Sequence, residues 1–160
     1  MKKSPLAKIA ILLWFVTIAT IGYFLYFGNT STSLDTRTAI HLTPAERQLV
    51  LTEMRALLEA VNGMLAGLGE KDYEKAAKSA EAVGMGLVAS LEHQEKTILL
   101  KLPVSFKKMG FGTHEKFDLI ASKIRKKEEI HNILKEMDDL TKNCVACHAG
   151  YKIEIDTEKK

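Results

Sequence analysis

Cys144 and Cys147 are the only cysteines in the 160-residue chain, and His148 follows the second directly. Cys144-Val145-Ala146-Cys147-His148 is therefore a C-x-x-C-H motif, the attachment signature of a c-type haem. The spacing has a chemical reason. Thiols on adjacent turns of a helical segment can each form a thioether to one vinyl group of the same porphyrin. The imidazole that follows then reaches the iron as proximal ligand. One covalently attached haem c, with its iron, is the implied cofactor.

Other chemistries fit the motif less well. A redox dithiol belongs at a helix N-terminus after a strand, where the dipole lowers the thiol pKa; this motif lies near the end of a chain that reads helical throughout. A structural zinc site needs further ligands at a recognisable spacing, and the sequence holds no second C-x-x-C or His pair. A disulfide across two residues would be strained. No Ser-His-Asp order, paired carboxylate site or phosphate loop is evident, so no catalytic residue is assigned.

The N-terminus sets the compartment. Lys2, Lys3 and Lys8 precede an uncharged apolar run from Ile9 to Phe27. At about 1.5 Å per residue such a run reaches roughly 28 Å, against a hydrocarbon core of about 30 Å. Trp14 lies early in it, and Tyr23, Tyr26 and Phe27 lie at its far end, as an aromatic belt would. Lysines before the run and none directly after predict a cytoplasmic N-terminus. A cleaved signal peptide is the alternative, with a weak site at Thr17-Ile18-Ala19, but apolar sequence continues for eight residues beyond it. An uncleaved signal-anchor over residues 1–28 is the expectation, in a bacterial inner membrane with the remainder in the periplasm. The chain has 23 Lys and Arg against 20 Asp and Glu, and three of the basic residues lie in the anchor, so the rest is formally neutral. That balance leaves no electrostatic footprint for nucleic acid.

Residues 29–42 are Ser/Thr-rich without apolar period and read as a tether. Thr43-Pro44-Ala45-Glu46 is a sharp helix start, with Thr43 as N-cap, proline at N1 and Glu46 completing a capping box. Val50, Met54, Leu57, Leu58, Val61, Leu65 and Leu68 follow at helical spacing, and Gly67 and Gly69 end the run. Asp72 caps a second helix with Ala76, Ala77, Ala80 and Val83 inward. Leu87 to Leu102 is ambiguous. Pro103 opens a third helix through Phe106, Met109, Phe117, Ile120 and Ile124, with Gly110 and Gly112 marking a bend or close contact. The fourth runs from about Glu128 to Tyr151 or beyond, with Ile130, Ile133, Leu134, Met137, Leu140, both cysteines, His148 and Tyr151 inward. No strand pattern stands out. The expected fold is all-α, an antiparallel four-helix bundle over residues 43–160 behind an N-terminal transmembrane helix.

A helical domain with one C-x-x-C-H near its C-terminus resembles the class II c-type cytochromes, cytochrome c-prime and its six-coordinate low-spin relatives. The resemblance covers about residues 43–153. It is carried by Cys144 to Lys152 and by Arg47-Gln48-Leu49-Val50-Leu51-Thr52-Glu53-Met54. It implies that Tyr151 and Lys152 stand where the family has an aromatic and a basic residue, commonly arginine. It also implies that the first helix faces the distal side of the iron. Counting forward from Arg47-Gln48 gives Leu51, which leaves the iron open over an apolar pocket. Counting back from the turn at Gly69 to Tyr73 gives Met54, whose thioether would complete a His/Met pair of raised potential. Met54 read without the resemblance is equally core filler.

The expected cofactor-binding set is thus Cys144, Cys147, His148, Met54, Leu51, Arg47 and Lys152, with His148 and Met54 on the iron. Lys152 pairs with a propionate or sits in water. His114 is the rival distal ligand, its plainer reading being a capping or surface histidine. Met64, Met85, Met109 and Met137 fit core packing, and His41, His93 and His131 fit a solvated surface. The expected function is single-electron transfer between membrane and periplasmic redox partner proteins. A five-coordinate haem that binds nitric oxide is the alternative, and a peroxidase-like enzyme ranks last for want of distal acid/base groups. Dimers are common in the family, so a homodimer is an expected partner state.

Overall fold

The structure is a computed structural model that describes residues 5–156, apart from the side chains of residue 5 and of residues 92–95. His93 falls outside the described side chains. The chain opens with α1, Pro5–Phe27. Its segment Leu6–Phe27 has a mean hydropathy of 2.1 and no buried residue, so it is long and apolar enough to cross a membrane by length and composition. Gly28 ends it in the left-handed region at φ 70°. A Cβ there would collide with the carbonyl oxygen of Lys101, so only glycine permits the close approach.

Five helices follow. α2, Pro44–Gly69, begins with the expected capping box: Thr43 Oγ1 accepts from Glu46 N at 3.3 Å, and Thr43 N donates to Glu46 Oε2 at 2.8 Å. α3, Tyr73–Glu81, is capped by Asp72, whose Oδ1 accepts from Lys75 N at 2.9 Å. α4 is Met85–Lys101, α5 is Val104–Arg125, and α6 is Ile130–Gly150. α2 packs on α3, α3 on α5, and α5 on α6, whereas α2 and α6 make little direct contact. Ala60, Met64, Ala76, Ala77, Ala80, Phe117, Ile120, Ile133 and Leu140 share one core. Small side chains let the helices come close. Gly67 is buried with its Cα against Ala76, where an added Cβ would lie 2.6 Å from the backbone nitrogen.

The protein is mostly helical but not all-α. Strands β1, Thr30–Thr32, β2, Thr38–Leu42, and β3, Tyr151–Ile155, form a sheet in that order. β1 and β2 are antiparallel; β2 and β3 are parallel, with Thr38 opposite Tyr151 and Leu42 opposite Ile155. This corrects two expectations. Residues 29–42 are no tether: Ala39, Ile40 and Leu42 are fully buried, and Ile40 and Leu42 pack with Val50, Ile98, Leu102 and Phe106 in a second core. The last helix stops at Gly150, and Tyr151 opens a strand whose alternating Tyr, Ile and Ile suit a pleated edge.

The apolar stripes also need correction. Leu58 and Leu65 on α2, Ile130 and Leu134 on α6, and Met85 at the start of α4 are exposed. The buried face of α6 follows Ile133, Met137 and Leu140, and residues 130 and 134 fall beside it. Gly110 and Gly112 make no close contact and leave α5 unbroken. The ambiguous stretch is α4, which packs on α5 and β2. His131 is exposed, but His41 is half-buried in β2, its Nε2 2.7 Å from Ser31 Oγ.

Candidate haem site

The second core is incomplete, and the gap is where the cysteine motif ends. Residues of β2, α2, α4 and α5 form this core, with Met54, Cys147, Tyr151 and Ile153 packed at its margin. Between them lies a cleft of about 170 Å³. Cys147 and His148, from the last turns of α6, line it together with Leu51 and Met54 of α2. Phe106 closes the inner end and also borders a second cavity of about 70 Å³ between α2, α4 and α5, so its ring is the partition between the two. Tyr151 holds that ring edge-on at 5.3 Å between centroids and 81°, and its hydroxyl is 2.6 Å from Ser105 Oγ.

The motif's helical spacing puts Cys144, Cys147 and His148 on one side of α6. Cys144 stands a turn back and does not line the cleft; its Sγ points to the carbonyl of Leu140 at 3.9 Å. Both cysteines are free. Burial pushes both thiols above their usual pKa, and for Cys147 the neighbouring Cys144 adds to the shift. They are neutral thiols at a helix C-terminus, the opposite of the low-pKa thiolate a redox dithiol needs. Among the described residues, no three His, Cys, Asp or Glu side chains converge as a metal cage.

This donor set fits a c-type haem: two unpaired thiols, an adjacent imidazole, a facing thioether and apolar walls. The cleft is smaller than the 300–1,000 Å³ of ordinary cofactor sites. Holding a porphyrin therefore requires it to widen, and the sparse contact between α2 and α6 leaves room for that.

Two sequence-predicted residues sit elsewhere. Arg47, in the first turn of α2, does not line the cleft; the basic groups there are Lys152 and Arg37. His114 is no surface histidine. It is buried on α5, with Nδ1 2.7 Å from the carbonyl of Val83 and Nε2 3.1 Å from Glu53 Oε1, so both ring nitrogens are engaged and neither points a lone pair at the cleft. Of the other methionines, Met64 and Met137 are buried and Met109 is half-buried. Sequence reasoning missed Arg37, Phe106 as partition, and the Glu53–His114 pair. Arg37 had a signal: it is the only Lys or Arg between Gly28 and Thr43. No protein-family model, curated protein or solved structure matches this chain.

Proposed function

We propose that this chain is a membrane-anchored, periplasm-facing monohaem c-type cytochrome that transfers single electrons. In this proposal α2, α3, α5 and α6 form an antiparallel four-helix bundle, the haem sits at the end where α2, α5 and the end of α6 meet, and α1 is the anchor. One observation carries it: Cys147 and His148 share a cleft with Met54 on the facing helix. When bound, haem c supplies a reversible one-electron change at its iron.

The chain's own residues have distinct parts. Cys144 and Cys147 supply the two thioether sulfurs, and His148 supplies the proximal nitrogen. Met54 lines the same cleft and would offer the iron a soft thioether ligand, which raises a haem potential. Leu51, Phe106 and Ile153 keep the cleft apolar, which excludes water and limits reorganisation around the iron. The α1 anchor confines the haem near membrane-bound redox partner proteins, raising their effective concentration.

The optical spectrum of the purified haem-loaded protein tests this. The expected ferrous spectrum is low-spin with sharp bands unmoved by carbon monoxide. Met54→Ala should convert it to a high-spin, carbon monoxide-binding form. Leu51 borders the same wall one turn away. A wild-type spectrum that is high-spin and shifts with carbon monoxide assigns the distal place to Leu51 and replaces electron transfer by binding of small gases.

A further inference from the structure

Two cations, Arg37 and Lys152, line the cleft, and no acidic side chain among the described residues does. Lys152 has two carboxylates beside it, with Nζ 2.6 Å from Glu154 Oε1 and 4.0 Å from Asp35 Oδ2. Arg37 comes from the turn between β1 and β2 and is fixed from two sides. Its Nε and Nη2 donate to Asp35 Oδ2 at 3.0 and 2.6 Å, and its Nη1 donates to the backbone carbonyl of His148 at 3.3 Å. The parallel register beside it, Thr38 opposite Tyr151 and Ala39 opposite Lys152, ties this turn to the residues just after the cysteine motif.

Part of this arrangement is structural. The His148 carbonyl is one of the last four of α6, and a cationic donor there satisfies it and complements the helix dipole. That role uses one N–H. Asp35 uses two more of the five, which leaves one on each Nη. Arg37 lines the cleft, in which an unpaired carboxylate would be costly. A haem brings two propionate carboxylates, and a guanidinium is the group suited to such an anion.

Resting on the haem assignment above, we propose that Arg37 anchors a haem propionate and, through the His148 carbonyl, positions the proximal end of α6. Arg47, expected among the cofactor-binding residues, does not line the cleft, whereas Arg37 does. It belongs to the segment that links the membrane helix to the haem domain, so the linker is part of the cofactor site. Its positive charge beside the haem favours the ferrous state.

The test is the haem midpoint potential of the full chain in detergent, by optical redox titration. Arg37→Gln should lower the ferrous-to-ferric ratio at fixed potential about tenfold, a shift of about 59 mV for one electron. Arg37→Lys, which keeps the charge, should restore most of it, and added salt should shrink the difference. Asp35→Asn, which removes the opposing carboxylate, should move the potential upward, and it carries the test if Arg37→Gln does not fold. An unshifted Arg37→Gln overturns the proposal. So does an Arg37→Lys that behaves like Arg37→Gln, which would leave only the fork on the His148 carbonyl, or an Asp35→Asn that does not rise. Denaturing electrophoresis separates the two levels. Wild-type protein without covalent haem sinks the haem assignment itself, whereas loaded wild type with unshifted variants sinks Arg37 alone.

Discussion

The two ends of the helical body use the same helices to opposite purposes. At one end α2, α3, α5 and α6 close on Ala60, Ala76, Ala77, Ala80 and Ala121, with Phe117 and Ile120 between them. Ion pairs lace that end, the exposed Arg125 to Glu81 and Glu74, and the half-buried Lys123 to Glu136 at 2.7 Å. At the other end α2 and α5 meet β2 and α4 instead, and the larger side chains there leave cavities, two of them bordered by Phe106. A chain built only for stability would fill such gaps, since each empty lining forfeits contacts. One of the gaps is lined by Cys147, His148 and Met54, so the looser end is the one on which the haem proposal rests.

Removing the ligand's attachment breaks the comparison most completely. The double variant Cys144→Ala, Cys147→Ala should lose all covalent haem, read as loss of haem staining after denaturing electrophoresis. Far-ultraviolet circular dichroism should still report the helices, because neither cysteine belongs to the closed core. Staining that survives would mean the motif is not the attachment point. Deleting a ring from each end comes next. Phe117 is 1% exposed in the closed core, and Phe117→Ala should cost about 3–5 kcal/mol in denaturant unfolding. Phe106 already borders two cavities, so Phe106→Ala gives up fewer contacts and should cost less. Equal costs would mean the two ends are equally well packed.

The helix starts and the alanine face of the closed end were legible in the sequence, and the sheet at the open end was not. Thr43-Pro44-Ala45-Glu46 and Asp72 are local capping signals, and local signals fix helix starts with little tertiary help. The alanines of α3 mark a buried face by period alone. Thr38-Ala39-Ile40-His41-Leu42 was hidden because its short apolar content sits within Ser and Thr. It becomes a strand through pairing with β3, more than a hundred residues away. Pairing at that distance leaves no local pattern, and Arg37 was missed with it. The cysteines and His148 stand out without the fold, because covalent attachment of a haem would fix such a spacing. Met54 and Leu51 were found only as a pair. Both line the same cleft.

The smallest effect expected compares an ion pair at each end. Lys101 Nζ lies 2.7 Å from Glu46 Oε2 at the open end, with side chains 28% and 13% exposed. Burial alone would raise the Glu46 carboxyl. The hydrogen bond from Lys101, with those from the Thr43 amide and hydroxyl, outweighs it and holds the group below its usual value of 4.5. A carboxyl lowered by folding adds stability at pH above its unfolded value, and that stability is lost as the pH falls through the folded value. Lys101→Met keeps the capping box and removes the partner charge. It should therefore cost about 1 kcal/mol at neutral pH, with the difference from wild type narrowing as acid protonates Glu46. Arg125 and Glu81 at the closed end are more exposed, at 38% and 46%, and water and salt screen them. Arg125→Met should accordingly change the unfolding midpoint less than Lys101→Met, and 1 M salt should erase more of its effect. The reverse order would mean that the closed end depends on its surface charges, not on its alanine-lined packing, and that the contrast between the two ends lies in electrostatics.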